Sequence, residues 1–256
     1  MAKKNPFALD LKYHKPPKLP PPPKIKKTDQ GVGEIDITAS AIIVPGPVLP
    51  VPVGFSKATT PPSQGTDTSG NLIVPVPSGV VDGDRLLAWT VTNSNTAWVP
   101  PAGWVPVVSA GGGIVLWERI AAAEPVSYTW VHSATARARS GVMGAIRGGA
   151  RGDTVMNPSA GAGPTAACPN VTAGVISGAL WLGLPALFAS DADDDFTVSG
   201  IHTLQVQHSS AAFGSVASAI SLQTGLSALQ TVGAGNLFGD NAVLSWAMAA
   251  LVIDPV

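Results

Sequence analysis

The segment GVVDGDRLLAWTV (Gly79–Val91) decides the fold, with WVPPAGWVPVV (Trp98–Val108), GIVLWERI (Gly113–Ile120), SYTWV (Ser127–Val131) and RSGVMGAIRG (Arg139–Gly148) after it. Each apolar run is short, and Gly, Pro, Asp or Asn stands between runs. That spacing predicts many strands joined by turns. In the first run Leu87, Trp89 and Val91 form one wholly apolar face, while Leu86, Ala88 and Thr90 leave the other face neutral. A strand without a charged face belongs inside a sandwich or beneath other subunits. Val126, Tyr128 and Trp130 alternate with Ser127 and Thr129, the half-exposed pattern. PPAGW (Pro100–Trp104) reads as a turn entering a strand.

Downstream, the same order of elements recurs with low identity. TAGVISGALWLGLP (Thr172–Pro185) parallels SGVVDGDRLLAWTV (Ser78–Val91), and TVSGIHTLQV (Thr197–Val206) parallels PPAGWVPVV (Pro100–Val108). FGSVASAISL (Phe213–Leu222) parallels GGIVLWERI (Gly112–Ile120), and FGDNAVLSWAMAALVID (Phe238–Asp254) parallels SATARARSGVMGAIRG (Ser133–Gly148). This is a diverged internal duplication, two similar sets of strands building one sandwich. The repeat also assigns the Ala-rich Asn241–Ile253 to a strand, because its Gly-rich counterpart is no helix. The expected fold is all-β: an antiparallel, jelly-roll-like β-sandwich over residues 71–256, with halves at about 71–150 and 165–256.

Upstream, residues 33–70 are a connecting segment. GEIDITASAIIV (Gly33–Val44) reads as a half-buried strand, and Pro45–Phe55, with four prolines, as an edge or irregular piece. Residues 1–32 form an extended, basic, Pro-rich arm. Its first 28 residues hold eight lysines against Asp10, so a net +7 there leaves −8 on the rest of a chain whose total is −1. Proline runs and like charges keep such a segment extended. Phe7, Leu9, Leu11 and Tyr13 recur at period two, which gives an extended peptide one apolar edge. With Lys3, Lys4, Lys24, Lys26 and Lys27 they are the candidate partner-binding residues of a docking arm. The competing reading is a solvated basic tail.

Charged residues are only 12% of the chain, against about a quarter usually, so the surface is unusually neutral. The single cysteine, Cys168, excludes an intrachain disulfide and reads as a buried small residue. The start lacks the apolar core of a secretory signal, and no window is long and apolar enough to span a bilayer. Nucleotide-binding, zinc-protease, CxxC and nucleophile-elbow motifs are all absent. His202 and His208 share a strand face but have no third ligand nearby. Asp191, Asp193, Asp194 and Asp195 make an acidic loop, either a solvated turn or a cation site. Trp98 and Trp104 are the candidate glycan-stacking pair, set against the plainer reading of core aromatics. Glu118 is expected in an interface salt bridge. Arg151-Gly152-Asp153 resembles an adhesion tripeptide and is read as chance. No cofactor and no specific nucleic-acid binding are expected.

The pieces VPSGVVDGDRLLA, PPAGWVPV, LWERIAAAEPVSYTW and GVMGAIRG, within Ile73–Gly148, resemble a β-sandwich module of tailed-bacteriophage virion proteins. The likeness extends over about residues 71–254 and is strongest in the first half. In the second half Ala179 stands where Asp84 would be matched, and PPAGW has become TVSGIH. The resemblance implies a non-enzymatic virion component, commonly a minor tail protein of phages of actinobacteria, made in a host cytoplasm. It implies other virion proteins as partners and a homo-oligomer, with a trimer expected. Capsid decoration and host-glycan adhesion are the alternatives.

Overall fold

The computed structural model describes residues 45–59, 71–94, 96–133, 138–161, 165–189, 196–198, 202–210, 216–232, 236–239 and 243–256. All of these except Pro45 belong to one compact unit, Gly46–Val256. The arm residues and the strand expected at Gly33–Val44 lie outside the described residues, as does the acidic loop Asp191–Asp195. The first half contains β1 (Val51–Lys57), β2 (Asn71–Pro75), β3 (Arg85–Thr92), β4 (Trp98–Val99), β5 (Val105–Ala110), β6 (Ile114–Ile120), β7 (Ser127–His132) and β8 (Arg139–Arg147). The second contains β9 (Ala150–Gly161), β10 (Thr165–Ala167), β11 (Val171–Thr172), β12 (Ala179–Ala189), β13 (Phe196–Val198) and β14 (Thr203–Ser210). It continues with β15 (Val216–Leu226), β16 (Thr231–Val232), β17 (Asn236–Gly239) and β18 (Val243–Asp254). No helix occurs among the described residues. The Ala-rich C-terminal run is the strand β18, as the repeat predicts.

The duplication is visible in the strand order. The first half makes a five-stranded sheet β1-β8-β3-β6-β5 and a three-stranded sheet β2-β7-β4. The second makes β9-β18-β12-β15-β14, the same order element for element. Its smaller layer is β10-β17-β13 plus the pair β11-β16, so that β2 and β7 each have a two-part counterpart. Every pairing is antiparallel, and each half follows the order of a jelly roll, with β5 carried onto the free edge of β6. Register fixes the correspondence residue by residue. Leu87 opposes Glu118 and Gly144; Leu182 opposes Leu222 and Leu251. Ala179 therefore does take the place of Asp84. Even the irregularities repeat: the β5–β6 ladder shifts between Pro106 and Val108, and the β14–β15 ladder between Leu204 and Val206.

The two five-stranded sheets pack face to face, so the expected sandwich is present with one sheet from each half. Two details differ from the sequence reading. Each half also covers the outer face of its own sheet, which gives four layers rather than two. The first half also begins before residue 71, because β1 is its edge strand, and the second begins at β9. In the central layer Leu87, Trp89, Val91, Leu116, Val142 and Ile146 meet Leu180, Leu182, Leu184, Ile220, Leu251 and Ile253, all wholly buried. β1 lies against β14, and β5 against β9. Each edge strand thus lies against the opposite edge strand of the other half's sheet, the arrangement of a two-fold, isologous contact. Leu86, Ala88, Trp117, Met143 and Ala145 face the outer cover of the first half, while Trp181, Met248 and Val252 face that of the second.

The Trp89 indole links the two halves through a hydrogen bond in the dry centre. Trp89 Nε1 donates to the Pro185 carbonyl at 2.9 Å. Pro185 sits mid-strand in β12, where the β15 ladder runs to Gly183 and resumes at Ala186. Trp89→Phe should cost about 1–3 kcal/mol by leaving that carbonyl unpaired, and Trp89→Ala about 3–5 kcal/mol by emptying the centre. Urea unfolding of the purified variants checks both; a cost below about 0.5 kcal/mol for the alanine would contradict this packing.

Candidate functional site

The ends of both rolls that carry matching loop pairs lie side by side. β8 finishes at Arg147, the chain turns through Gly148 and Gly149 at φ 72 and 75, and β9 starts opposite Asp254, the last residue of β18. A Cβ on Gly149 would stand 2.7 Å from the Asp254 carbonyl, so only glycine fits this joint. Both sheets therefore end together.

At this end a two-loop clasp is built twice. Gly83 N donates to Ala121 O at 2.9 Å, and Gly178 N to Leu226 O at 2.7 Å. Ala123 N donates to Asp82 Oδ1 at 2.8 Å, and Ala228 N to Ser177 Oγ at 3.2 Å. Val76 N donates to Val126 O at 3.0 Å, and Ala173 N to Gln230 O at 2.9 Å. Gly83 and Gly178, at φ 91 and 103, hold the matching left-handed corner of each clasp. Each partner loop also carries one non-glycine residue at positive φ, Ala123 at 51 and Leu229 at 56.

The charges that brace the clasps differ between halves. In the first, Arg147 Nε and Nη2 donate to the two Asp84 oxygens at 2.9 Å each, and Nη2 also reaches the Gly79 carbonyl. The Arg147 hydrogen bond, helped by Val81 N, holds the Asp84 carboxyl below its ordinary range. In the second half Ala179 replaces Asp84 and Asp254 replaces Arg147. Asp254 then binds the loop directly, accepting from Gly174 N at 2.7 Å. Glu124 takes Arg119 Nε at 3.0 Å, Ala122 N at 2.7 Å and the Tyr128 hydroxyl. Burial alone would raise the Glu124 pKa, but these donors lower it; burial and Glu124 together push the Tyr128 phenol up to about 12. Glu118 pairs with Arg85 of its own sheet and with Arg151 of the other half at 2.9 Å. It is a salt bridge at an interface as expected, one between the two halves.

This framework presents six exposed apolar side chains outward. Val81, Ile120 and Val126 stand exposed on the first clasp and Val175, Ile176 and Leu229 on the second, Val126 at 90% and Val175 at 78%. Val48, Leu49 and Val256 continue the patch: Val48 and Val256 exchange backbone hydrogen bonds of 2.6 and 3.1 Å. Val48 and Leu49, near the start of the body unit, therefore run along this end. Its signal in the sequence was faint, since valines beside Asp-Gly turns look like strand residues.

The expected stacking pair is elsewhere and is corrected here. Trp98 is only 5% and Trp104 only 4% exposed. Trp98 Nε1 donates to Gly113 O at 3.0 Å and the ring meets His132 edge-on at 4.8 Å. Trp104 packs edge-on against Trp130 and Tyr128 at 5.1 and 5.2 Å. Neither offers a ring face to a sugar. Arg151 and Asp153 of the tripeptide are occupied by Glu118 and Thr172 N. Cys168 is buried, and burial pushes its thiol up to about 12. Among the described residues no group of three His, Cys, Asp or Glu is placed to hold a metal.

A serine–histidine contact that the sequence reading missed lies in the central layer. Ser140 Oγ is 3.1 Å from His208 Nδ1, 2.6 Å from Ser218 Oγ and 2.6 Å from the His208 carbonyl. The Ser140 proton goes to that carbonyl, and Ser140 is wholly buried, so the trio acts as a cross-sheet strut rather than an activated nucleophile. No protein-family model, curated protein or solved structure matches the chain.

Burial, with Lys57 adding to it, pushes the His208 pKa down from 6.5 to about 4. The unfolded chain then takes up the proton first as the medium is acidified. His208 should therefore stabilise the fold fully above pH 6.5 and lose roughly 3 kcal/mol of that effect by pH 4. His202, also lowered by burial, acts in the same sense. Urea melts between pH 7.5 and 4 check this: His208→Gln should flatten the slope, and an unchanged slope would contradict it.

Proposed function

We propose that the chain is a non-enzymatic structural component of a tailed-bacteriophage virion, a minor tail or tail-tip protein anchored by its N-terminal arm. The observation that carries this reading is the apolar double clasp at the end where the arm joins the body. A surface of that kind on a low-charge body suits permanent packing against other proteins. The first-half pieces VPSGVVDGDRLLA and LWERIAAAEPVSYTW, on which the resemblance rests, fold into β3, β6, β7 and the clasp between them. The buried charges described above brace loops and sheets, as a rigid particle component requires. With Trp98 and Trp104 in the core, the glycan-binding alternative has no named residues left to carry it.

Immunogold labelling of purified particles with an antibody against residues 71–254 tests this reading. Label at the tail or its tip is expected. Label over the head would transfer the protein to the shell, and particles free of the protein would overturn the virion assignment. Deleting residues 1–28 should leave the melting temperature within a degree or two and remove the protein from particles. Unimpaired incorporation would contradict arm anchoring.

A further inference from the structure

We infer that the apolar double clasp is the docking site for the Phe7–Tyr13 stretch of a second copy's arm. This goes beyond the virion reading and stands or falls on the purified chain alone. The six exposed tips, Val81, Ile120, Val126, Val175, Ile176 and Leu229, come from two quasi-equivalent loop pairs at one end of the body. A surface with several exposed apolar tips suits a peptide that shows an apolar side chain at every second position. FALDLKY (Phe7–Tyr13) does so, placing Phe7, Leu9, Leu11 and Tyr13 along about 20 Å of extended chain.

Two further observations point to this occupant. Residues 1–44 are the longest stretch outside the described residues, and the described chain resumes just before Val48, which is tied to Val256 at this patch. The arm is basic and the rest of the chain acidic; exposed Asp82 lies between the tips, next to Val81. Residues 14–44 can reach roughly 100 Å when extended, enough to span to a neighbouring copy. The prolines from Pro16 to Pro23 make about 25 Å of that a stiff spacer. That stiffness, together with repulsion among the lysines, opposes folding back onto the same body and favours exchange between copies. An arm-to-clasp contact is head-to-tail, so it closes into a ring at a fixed copy number or propagates.

Sedimentation velocity on the full chain tests the inference. The full chain should sediment as an oligomer, and an excess of a peptide of residues 1–28 should dissociate it to monomer. Leu9→Ser with Leu11→Ser should give a monomer, as should Val126→Ser with Leu229→Asn, all with unchanged circular dichroism and melting. Asn suits the left-handed backbone at 229. A monomeric full chain, which is also what docking of the arm on its own body would give, overturns the inference. So does an oligomer that survives either pair of substitutions.

Discussion

The hydrogen bond from the Trp89 indole to the Pro185 carbonyl is the constraint on which the rest of the architecture depends. Each half has its own outer cover, yet neither can leave the inner face of its five-stranded sheet exposed. Leu87, Trp89 and Val91 on one side and Leu180, Leu182 and Leu184 on the other need each other to leave water. The indole fixes how the two faces meet, because a buried N–H and a buried carbonyl must find partners. Ser140 with Ser218, and Glu118 with Arg151, add polar ties to the same layer. A pair of rolls related in this way resembles a two-fold dimer written into one chain, its joint a Gly-Gly turn.

Divergence between the halves follows where each stands. Positions at and beside the loop ends have changed charge: Asp84 and Arg147 match Ala179 and Asp254, and Arg85 and Glu118 match Leu180 and Leu222. The backbone bonds of the clasps, Gly83 N to Ala121 O and Gly178 N to Leu226 O, are kept, since they need only an N–H, a carbonyl and a glycine corner. The side chains can therefore drift far apart while the strand order, the ladder shift and the clasp stay fixed. The consequence for function is a body that presents the same loop form twice at one end, with apolar side chains exposed on both copies.

Much of the fold was legible because the signals were local. Alternation in Tyr128 and Trp130, the Pro-Pro-Ala-Gly turn before Trp104 and the parallel between Ser140–Arg147 and the Ala-rich C-terminal run all report on short stretches of chain. The outer covers were not legible. Period two says that a strand has two faces, and it does not say which sheet each face meets. Trp98 illustrates the limit: beside a turn it looks exposed, but His132 and the Gly113 carbonyl, distant in sequence, enclose it. The apolar clasp was missed for the same reason. Val126 and Leu229 lie 103 residues apart in the numbering, and only the duplication brings their loops to one end.

The shared core leads to a single thermodynamic claim: neither roll is stable without the other. Differential scanning calorimetry of the full chain tests it most directly, with hydrogen exchange read separately over β3, β6 and β8 and over β12, β15 and β18. The account predicts one transition, equal calorimetric and van't Hoff enthalpies, and loss of protection in both sets of strands together. Two transitions, with one set of strands opening while the other stays protected, would contradict it.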